Sequence, residues 1–508
     1  MAFCHRYSIV EYRGTKSGRH CGYCSKSGGK FNAGMWAHSL DCRDYQSLIN
    51  RGWRRSGQYC YKPSMDVTCC PLYGIRCHAE SFKPSKSQKK VVKRMRQFLT
   101  NGGQKDIDDW KAACEKKNNH NPPEEENDED QMTLASDQKP TNSEVKPPVD
   151  GNPTQNSETE QKSKVPRKGN GPDPTKPPPK KAKQLRLERK LQKAQEKGNT
   201  SNDTNNRKPK HNAEKTLEEL LPHLNVPENA KHRLELRLVA CQDREEFDKS
   251  RKESYELYKK YQMAIHKDHP SDCPEKQWSR FLLESPLNCD ERLFKPGLGS
   301  FHNQYWLDDK LIAVGVMDIL TNYVSSVYLY YDPDYGFLSL GVYSALSELV
   351  MTKRFHALCP NITHYCMGYF NQQCTKMKYK SKFRGSELLC PETYTWVPVE
   401  KCIPALEKNK YCRLNVLNGG SPDAEDEDGK WETLDEVLCL YRRVPYNYKD
   451  YQHHKYIERR MDDLCPPSAE ETAEKLRRED ERIRQYATMA GKSAKRILLF
   501  RSEADDYY

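Results

Sequence analysis

No run of about 18 consecutive apolar residues occurs in the 508-residue chain, so no segment reads as a membrane-spanning helix. The opening residues, MAFCHRYSIVEYRG, have no apolar signal core, and the chain is expected to be neither exported nor membrane-bound. A Walker phosphate loop is missing, and no nucleotide cofactor is expected. Hydrophobic residues are scarce, at 35% against 31% charged, and the mean hydropathy is -1.00. Part of the chain therefore has too little apolar surface to build a core. No internal repeat points to a solenoid. No Ser-His-Asp or Cys-His constellation stands out, so no covalent acyl-enzyme is expected.

What is present is basic and rich in thiols. A formal charge of +12 has the sign that a polyanionic partner needs, although solubility alone would also account for it. Twenty cysteines in a chain expected in the cytoplasm, with the nucleus as a second location, should be thiols or ligands rather than disulfides.

Composition divides the chain into four stretches. Residues 1–104 mix aromatics, glycines and cysteines. Residues 105–214 run through NNHNPPEEENDEDQ and GPDPTKPPPKKAKQ and read as a disordered charged, proline-rich linker. Within it, KKAKQLRLERKLQKAQEK (180–197) is a basic helix-prone segment with the charge to meet phosphates or serve as a nuclear-import address. Residues 215–446 hold three strand-like segments, KLIAVGVMDIL, VSSVYLYYD and THYCMGYF. Between the last two, Val342, Leu346, Leu349 and Val350 recur at helical spacing behind Ser339, a candidate cap. Strand, strand, helix, strand predicts an α/β layer. Residues 447–508 read as a charged helical tail whose apolar stripe packs on the preceding domain.

The N-terminal cysteines carry the sharpest spacing signal. In CGYC, Cys21 and Cys24 have the spacing that lets two thiolates face one ion. TCCPLYGIRC supplies Cys69 and Cys70 as a second half, with Cys77-His78 as a competing source of a ligand. Four thiolates suit zinc, and an iron–sulfur cluster equally well.

The strings CGYC, MWAHS, RGWRRSGQYCYKP, TCCPLYGIRC, YQMAIHKD, SSVYLYYDPDYGFLSLGVYSAL and MGYFNQQCTKMKYKSKFRGSELLCPETY together resemble the eukaryotic arginyl-tRNA–protein transferases, animal-type above all. The likeness covers both ordered regions and leaves out the linker and the tail. It implies an acetyltransferase-like mixed α+β core (GNAT-type) behind a Cys-rich metal-binding domain that recognises the substrate's N-terminus. It implies transfer of arginine from arginyl-tRNA to the α-amine of proteins beginning with Asp or Glu, which marks them for ubiquitin-dependent degradation. It also implies a zinc or iron–sulfur site at Cys21, Cys24, Cys69 and Cys70.

That reaction sets physical demands which the residues can be asked to meet. An α-amine with a pKa of about 8 needs little help from a base, so positioning should dominate. The substrate's acidic side chain needs cations, and Arg54, Arg55 and Lys62, with His38 nearby, are the candidates. The transferred arginine needs carboxylates, and Asp318, Asp332 and Asp334 stand at or beyond predicted strand ends. The RNA end needs phosphate and stacking contacts. CTKMKYKSKFR offers Lys376, Lys378, Lys380, Lys382 and Arg384 with Tyr379 and Phe383, on one face if the segment is extended. Ser339–Gly341 at the helix start is a further place for a phosphate, and Cys366 and Cys374 read as packing residues. A monomer is expected. Two rival readings are an acyl-CoA-dependent N-acetyltransferase, for which DPDYGFLSLGVYS lacks the usual pyrophosphate pattern, and a non-catalytic metal-scaffolded adaptor for acidic N-termini.

Overall fold

The structure is a computed structural model that describes residues 7–118, 215–226, 228–458 and 468–502. The described residues belong to one compact unit. Residues 119–214, including the basic segment 180–197, lie outside them.

Two mixed sheets organise this unit. The smaller contains β1 (Ile9–Gly18), β2 (Gly28–Ser39), β3 (Arg54–Ser56) and β4 (Tyr59–Pro63). The larger begins with β5 (Tyr73–His78) and β6 (Leu234–Ala240), and continues through β7 (Gly299–Leu307), β8 (Lys310–Ile319), β9 (Tyr323–Tyr331) and β10 (His364–Phe370). β11 (Ser386–Leu389) and β12 (Trp396–Pro398) complete it, and β13 (Leu438–Tyr441), β14 (Val444–Asn447) and β15 (Leu498–Arg501) return to the smaller sheet. The orders are β14-β13-β15-β1-β2-β4-β3 and β12-β11-β5-β10-β9-β8-β7-β6.

Strand pairing crosses both outer domain boundaries expected from composition. β5, from the N-terminal stretch, lies between β11 and β10. β15, from the tail, pairs in parallel with β1 and β13. Composition cannot show this, because a four-residue strand leaves too short an alternation to be read against the charged helix before it.

The three strands and the helix expected in the central region are present. The helix spans Leu340–Leu358, but it is buried nearly all round rather than on one stripe. The helix Lys86–Asn101 packs on its outer side, held at its own start by a reciprocal Ser85–Gln88 capping box. Ser339 does not cap the central helix with its side chain; it has φ +53°, and its Oγ accepts a hydrogen bond from Arg94. The linker expectation is corrected at its start, since Gln104–Asn118 forms a helix whose Trp110 donates to the Pro333 carbonyl. The tail helix, Ala469–Ala490, buries Ile483, Tyr486, Ala487 and Ala490.

β9 and β10 are parallel, and their register runs only from Tyr323–His364 to Ser325–Cys366. Beyond that point β9 has a bulge opposite Val316 and Met317 of β8, and β10 has one between Cys366 and Tyr369. Gly368 sits in that second irregularity at φ +72°, a conformation most side chains resist. The two strands part here, and a cleft opens between them.

Candidate active site and metal centre

The cysteine centre is built from two turns. The Cys21 N–H donates to the Lys26 carbonyl and the Ser25 N–H to the Cys21 carbonyl, which closes the first knuckle with Ser25 at φ +57°. The Cys69 N–H donates to the Gly29 carbonyl at 2.9 Å and so brings the second pair alongside. The Sγ atoms of Cys21, Cys24, Cys69 and Cys70 all lie within 4.8 Å of one another, with Cys24 and Cys69 at 3.5 Å. Zinc–sulfur bonds of about 2.3 Å put tetrahedral thiolates roughly 3.8 Å apart, so these four fit a single ion. A Cβ on Gly29 would stand 2.7 Å from Cys69 Sγ, which makes this glycine part of the cradle. The Lys26 backbone N–H, aided by the neighbouring thiols, holds Cys24 down at about 7, while burial pushes Cys69 up to about 11. Cys77, the alternative ligand source, is buried in β5 and its thiol faces the Arg384 carbonyl.

Beside this centre lies the cleft. Ser325, Ser326, Val327 and Tyr328 of β9 form one wall, and Met367, Gly368 and Tyr369 of β10 the other. Tyr23, from within the first cysteine knuckle, and Tyr61 complete the rim on the metal side. Leu72, just after the second cysteine pair, packs with Tyr369 and Met377, and Tyr23 and Tyr61 rest on that group. Holding the two cysteine pairs together thus holds one wall of the cleft.

Two cations face the cleft without an acidic partner among the described residues. Arg54 is 5% exposed and Lys380 2%. Arg54 gives Nη1 to the carbonyls of Ile49 and Trp53, and Nη2 approaches Cys366 Sγ at 3.5 Å and the Gly368 carbonyl at 3.4 Å. Its Nε has no hydrogen-bond partner, and its guanidinium carbon sits 5.3 Å from the centre of the Tyr369 ring. Lys380 donates to the carbonyls of Met367 and Tyr369 at 2.8 and 2.7 Å. Burial, with the Arg54 charge adding to it, pushes Lys380 down to about 7. Buried charge without a counter-ion is costly, and a bound carboxylate would offset it.

The remaining sequence candidates are distributed differently from expectation. Arg55 lines the cleft wall, but its guanidinium is committed to Asp318, with Nε–Oδ2 at 2.8 Å and Nη2–Oδ1 at 2.5 Å, and to Ser300 and the Gly57 carbonyl. A pair expected to divide between recognition and catalysis is joined in one buried bridge. Asp332 and Asp334 do not reach the cleft. Lys260 and Lys310 hold Asp332, Lys260 and Lys111 hold Asp334, and Asp332 caps the turn by accepting from the Asp334 N–H. Lys62 alternates with Tyr61 along β4, and it donates to the Tyr394 hydroxyl away from the cleft. His38 is half-exposed on β2, 3.4 Å from Glu11 and edge-on to Phe500.

The basic segment is not extended. Thr375–Lys378 is an α-turn and Tyr379–Lys382 a 3-10 turn, so the expected alternation fails. Winding turns Met377 and Lys380 into the cleft and leaves Lys376, Lys378, Lys382 and Arg384 on the exposed side. Phe383 is buried and stacks on Phe82, and Tyr379 meets it edge-on. Cys366 is buried as a packing residue, its thiol facing the Ile75 carbonyl.

Sequence reasoning missed Glu348, an acid in the middle of the central helix that is 2% exposed. No local signal marked it: at helical spacing it falls off the face formed by Val342, Leu346, Leu349 and Val350, and it is buried because the helix is enclosed nearly all round.

Models of the arginine-tRNA-protein transferase N terminus and C terminus match residues 19–90 and 253–390. The chain is 39% identical to arginyl-tRNA–protein transferase 1 of Drosophila melanogaster, over 97% of this chain and 99% of that protein. Arginyl-tRNA–protein transferase 2 of Arabidopsis thaliana is 33% identical, over 80% and 78%. An aspartate/glutamate leucyltransferase of Campylobacter jejuni is 30% identical over 135 residues, which span 26% of this chain and 51% of that protein. Together with the cleft and the thiol centre, these matches define an enzyme of the aminoacyl-tRNA-dependent transferase class. The chain belongs to the arginyl-tRNA–protein transferase family.

Proposed function

We propose that this protein transfers arginine from arginyl-tRNA to the N-terminal α-amine of proteins beginning with Asp or Glu. The product carries a new N-terminal arginine and is thereby marked for ubiquitin-dependent degradation. The observation that carries the reading is the pair of buried cations, Arg54 and Lys380, in one narrow cleft with no acidic partner among the described residues. An Asp or Glu side chain supplies the missing charge, and a guanidinium is suited to a carboxylate. The name of the Campylobacter relative states an acidic specificity for that protein, which agrees with the same reading here.

The core is read as acetyltransferase-like. Support comes from the sequence β8, β9, central helix, β10, and from the parting of the parallel pair at the cleft. With the acidic side chain on Arg54 and Lys380, the α-amine lies between the parted strands, where an ester carbonyl can be presented to it. Orientation supplies most of the acceleration, because the ester is already activated. The exposed Lys376, Lys378, Lys382 and Arg384 take acceptor-end phosphates on the outer side of the turn that closes the cleft.

Cys21, Cys24, Cys69 and Cys70 hold a metal whose contribution is structural, bracing Tyr23 and Leu72. The spacing favours one tetrahedral zinc ion, since a cluster would spread the thiolates over several irons. Absorbance of the purified protein near 400 nm would favour the cluster instead. The protein is read as a monomer of the cytoplasm, with the nucleus as a second location; the location is supported by cysteines that are free thiols among the described residues. The test is incubation with labelled arginyl-tRNA and peptides beginning Asp, Glu or Ala. Label on the first two but not the third is expected, and no label on any peptide overturns the reading.

A further inference from the structure

Glu348 projects from the central helix into the middle of the larger sheet. Its Oε2 accepts a hydrogen bond from the Tyr365 hydroxyl of β10 at 2.6 Å. The Ser326 hydroxyl of β9 lies near this carboxyl and near the Tyr365 hydroxyl. On β8, Gly315 leaves the space it occupies; a Cβ there would stand 2.6 Å from Glu348 Oε1. The other ionisable groups facing it are tyrosines: Tyr305 on β7 and Tyr379 in the turn that closes the cleft. Among the described residues no cation pairs with it. This carboxyl has one hydroxyl hydrogen bond, a second hydroxyl nearby and no counter-ion among the described residues, and a methyl-sized change at Gly315 would collide with it. A purely structural position at the centre of a helix would more cheaply hold an apolar residue of similar size.

Ser326 is the connection that gives the acid a use. It stands on the cleft wall beside Ser325 and Val327, and it also lies near Glu348. We propose that Glu348 accepts, through the Ser326 hydroxyl, the proton that the substrate's α-ammonium must lose before its nitrogen attacks. The inference rests on the reading of the cleft as the amine site. In the balanced step the ammonium gives one proton to Ser326, which passes its own to Glu348. The free amine nitrogen then bonds to the ester carbonyl carbon, and the bond from that carbon to the ribose oxygen of the tRNA breaks. The second amine proton goes to the ribose oxygen, leaving an amide and a free hydroxyl. Glu348 later returns its proton to solvent, which matches the one proton the overall reaction releases.

Burial holds the carboxyl at about 7, between an ordinary carboxylate and an α-amine, so it can both take the proton and give it up near neutrality. Because Glu348 acts through Ser326, kcat at saturating peptide and its pH dependence are the informative quantities, rather than KM.

The experiment compares wild type, Glu348→Gln and Ser326→Ala on Asp-initiated peptide with labelled arginyl-tRNA, from pH 5.5 to 9. Wild-type kcat is expected to rise through an apparent pKa near 7. In Glu348→Gln, kcat should fall on the order of 100-fold, with the rise displaced to that of the amine itself, about 8, and KM for both substrates within about twofold. Ser326→Ala should lower kcat roughly tenfold and shift the rise upward, and it decides the matter if Glu348→Gln does not fold. A folded Glu348→Gln with wild-type kcat and an unmoved pH profile overturns the proposal, as does an unaltered Ser326→Ala. Failure of wild type to label any peptide would instead defeat the reading of the reaction itself.

Discussion

Arg55 and Asp318 form a buried two-bond ion pair that ties β3 of the smaller sheet to β8 of the larger, with Ser300 donating to the same carboxylate. Both side chains are almost fully excluded from solvent, at 1% and 0% exposure. Removing one partner leaves a buried charge without compensation, which costs about 3–5 kcal/mol. Asp318→Ala should therefore lower the free energy of unfolding by about that amount in a urea titration. The double variant Arg55→Met/Asp318→Leu should lose much less. A loss under about 1 kcal/mol in Asp318→Ala would contradict the assignment of this pair as a brace between the sheets.

The cysteine centre makes a separate prediction. Cys69→Ser, Cys70→Ser and Gly29→Ala should each lower bound metal well below one equivalent by elemental analysis, the last because the added methyl would press on Cys69 Sγ. Activity should fall with metal content, since Tyr23 and Leu72 lose their support. Stoichiometric metal in all three variants would remove these residues from the site.

Lys380 sets a pH dependence on binding. It sits at about 7 because burial, and Arg54 beside it, disfavour its charge. Below that pH it is protonated and attracts the substrate carboxylate; above it the charge is lost. KM for Asp-initiated peptides should thus rise as pH climbs from 7 to 9, while KM for arginyl-tRNA stays nearly level. Lys380→Met should raise KM at pH 6.5 and abolish the slope. A slope that survives in this variant would assign the dependence to another group.

Much of this was legible in the residues. Cys-x-x-Cys and the adjacent pair Cys69-Cys70 pointed to a shared site because ligand spacing is a local property, and the four thiols do converge. The β-branched and aromatic runs of β8, β9 and β10 and the apolar helix before β10 were legible as elements, although β8, β9 and the helix are buried on more faces than a half-exposed pattern would show. What local pattern could not show was pairing at a distance. The union of Arg55 with Asp318 depends on two sheets meeting across 263 positions of chain. The Lys376–Arg384 segment alternates like a strand, yet it winds into two short turns that bury Met377 and Lys380, a three-residue spacing that an alternating reading does not reveal. Asp332 and Asp334, expected to meet the transferred arginine, stand instead in a turn held by lysines, because the lysines that pair with them come from segments distant in sequence.

Recognition of the substrate's first side chain by Arg54 and Lys380 is tested most directly by a ratio. For wild type and for Arg54→Ala, kcat/KM should be measured on peptides that differ only in beginning with Asp or Asn. Hydrogen bonds to a charged group contribute about 1.5–3 kcal/mol, so Arg54→Ala should reduce the Asp preference roughly 10- to 100-fold, mainly through KM for the peptide. A variant that loses activity equally on both peptides, with the preference intact, would contradict it.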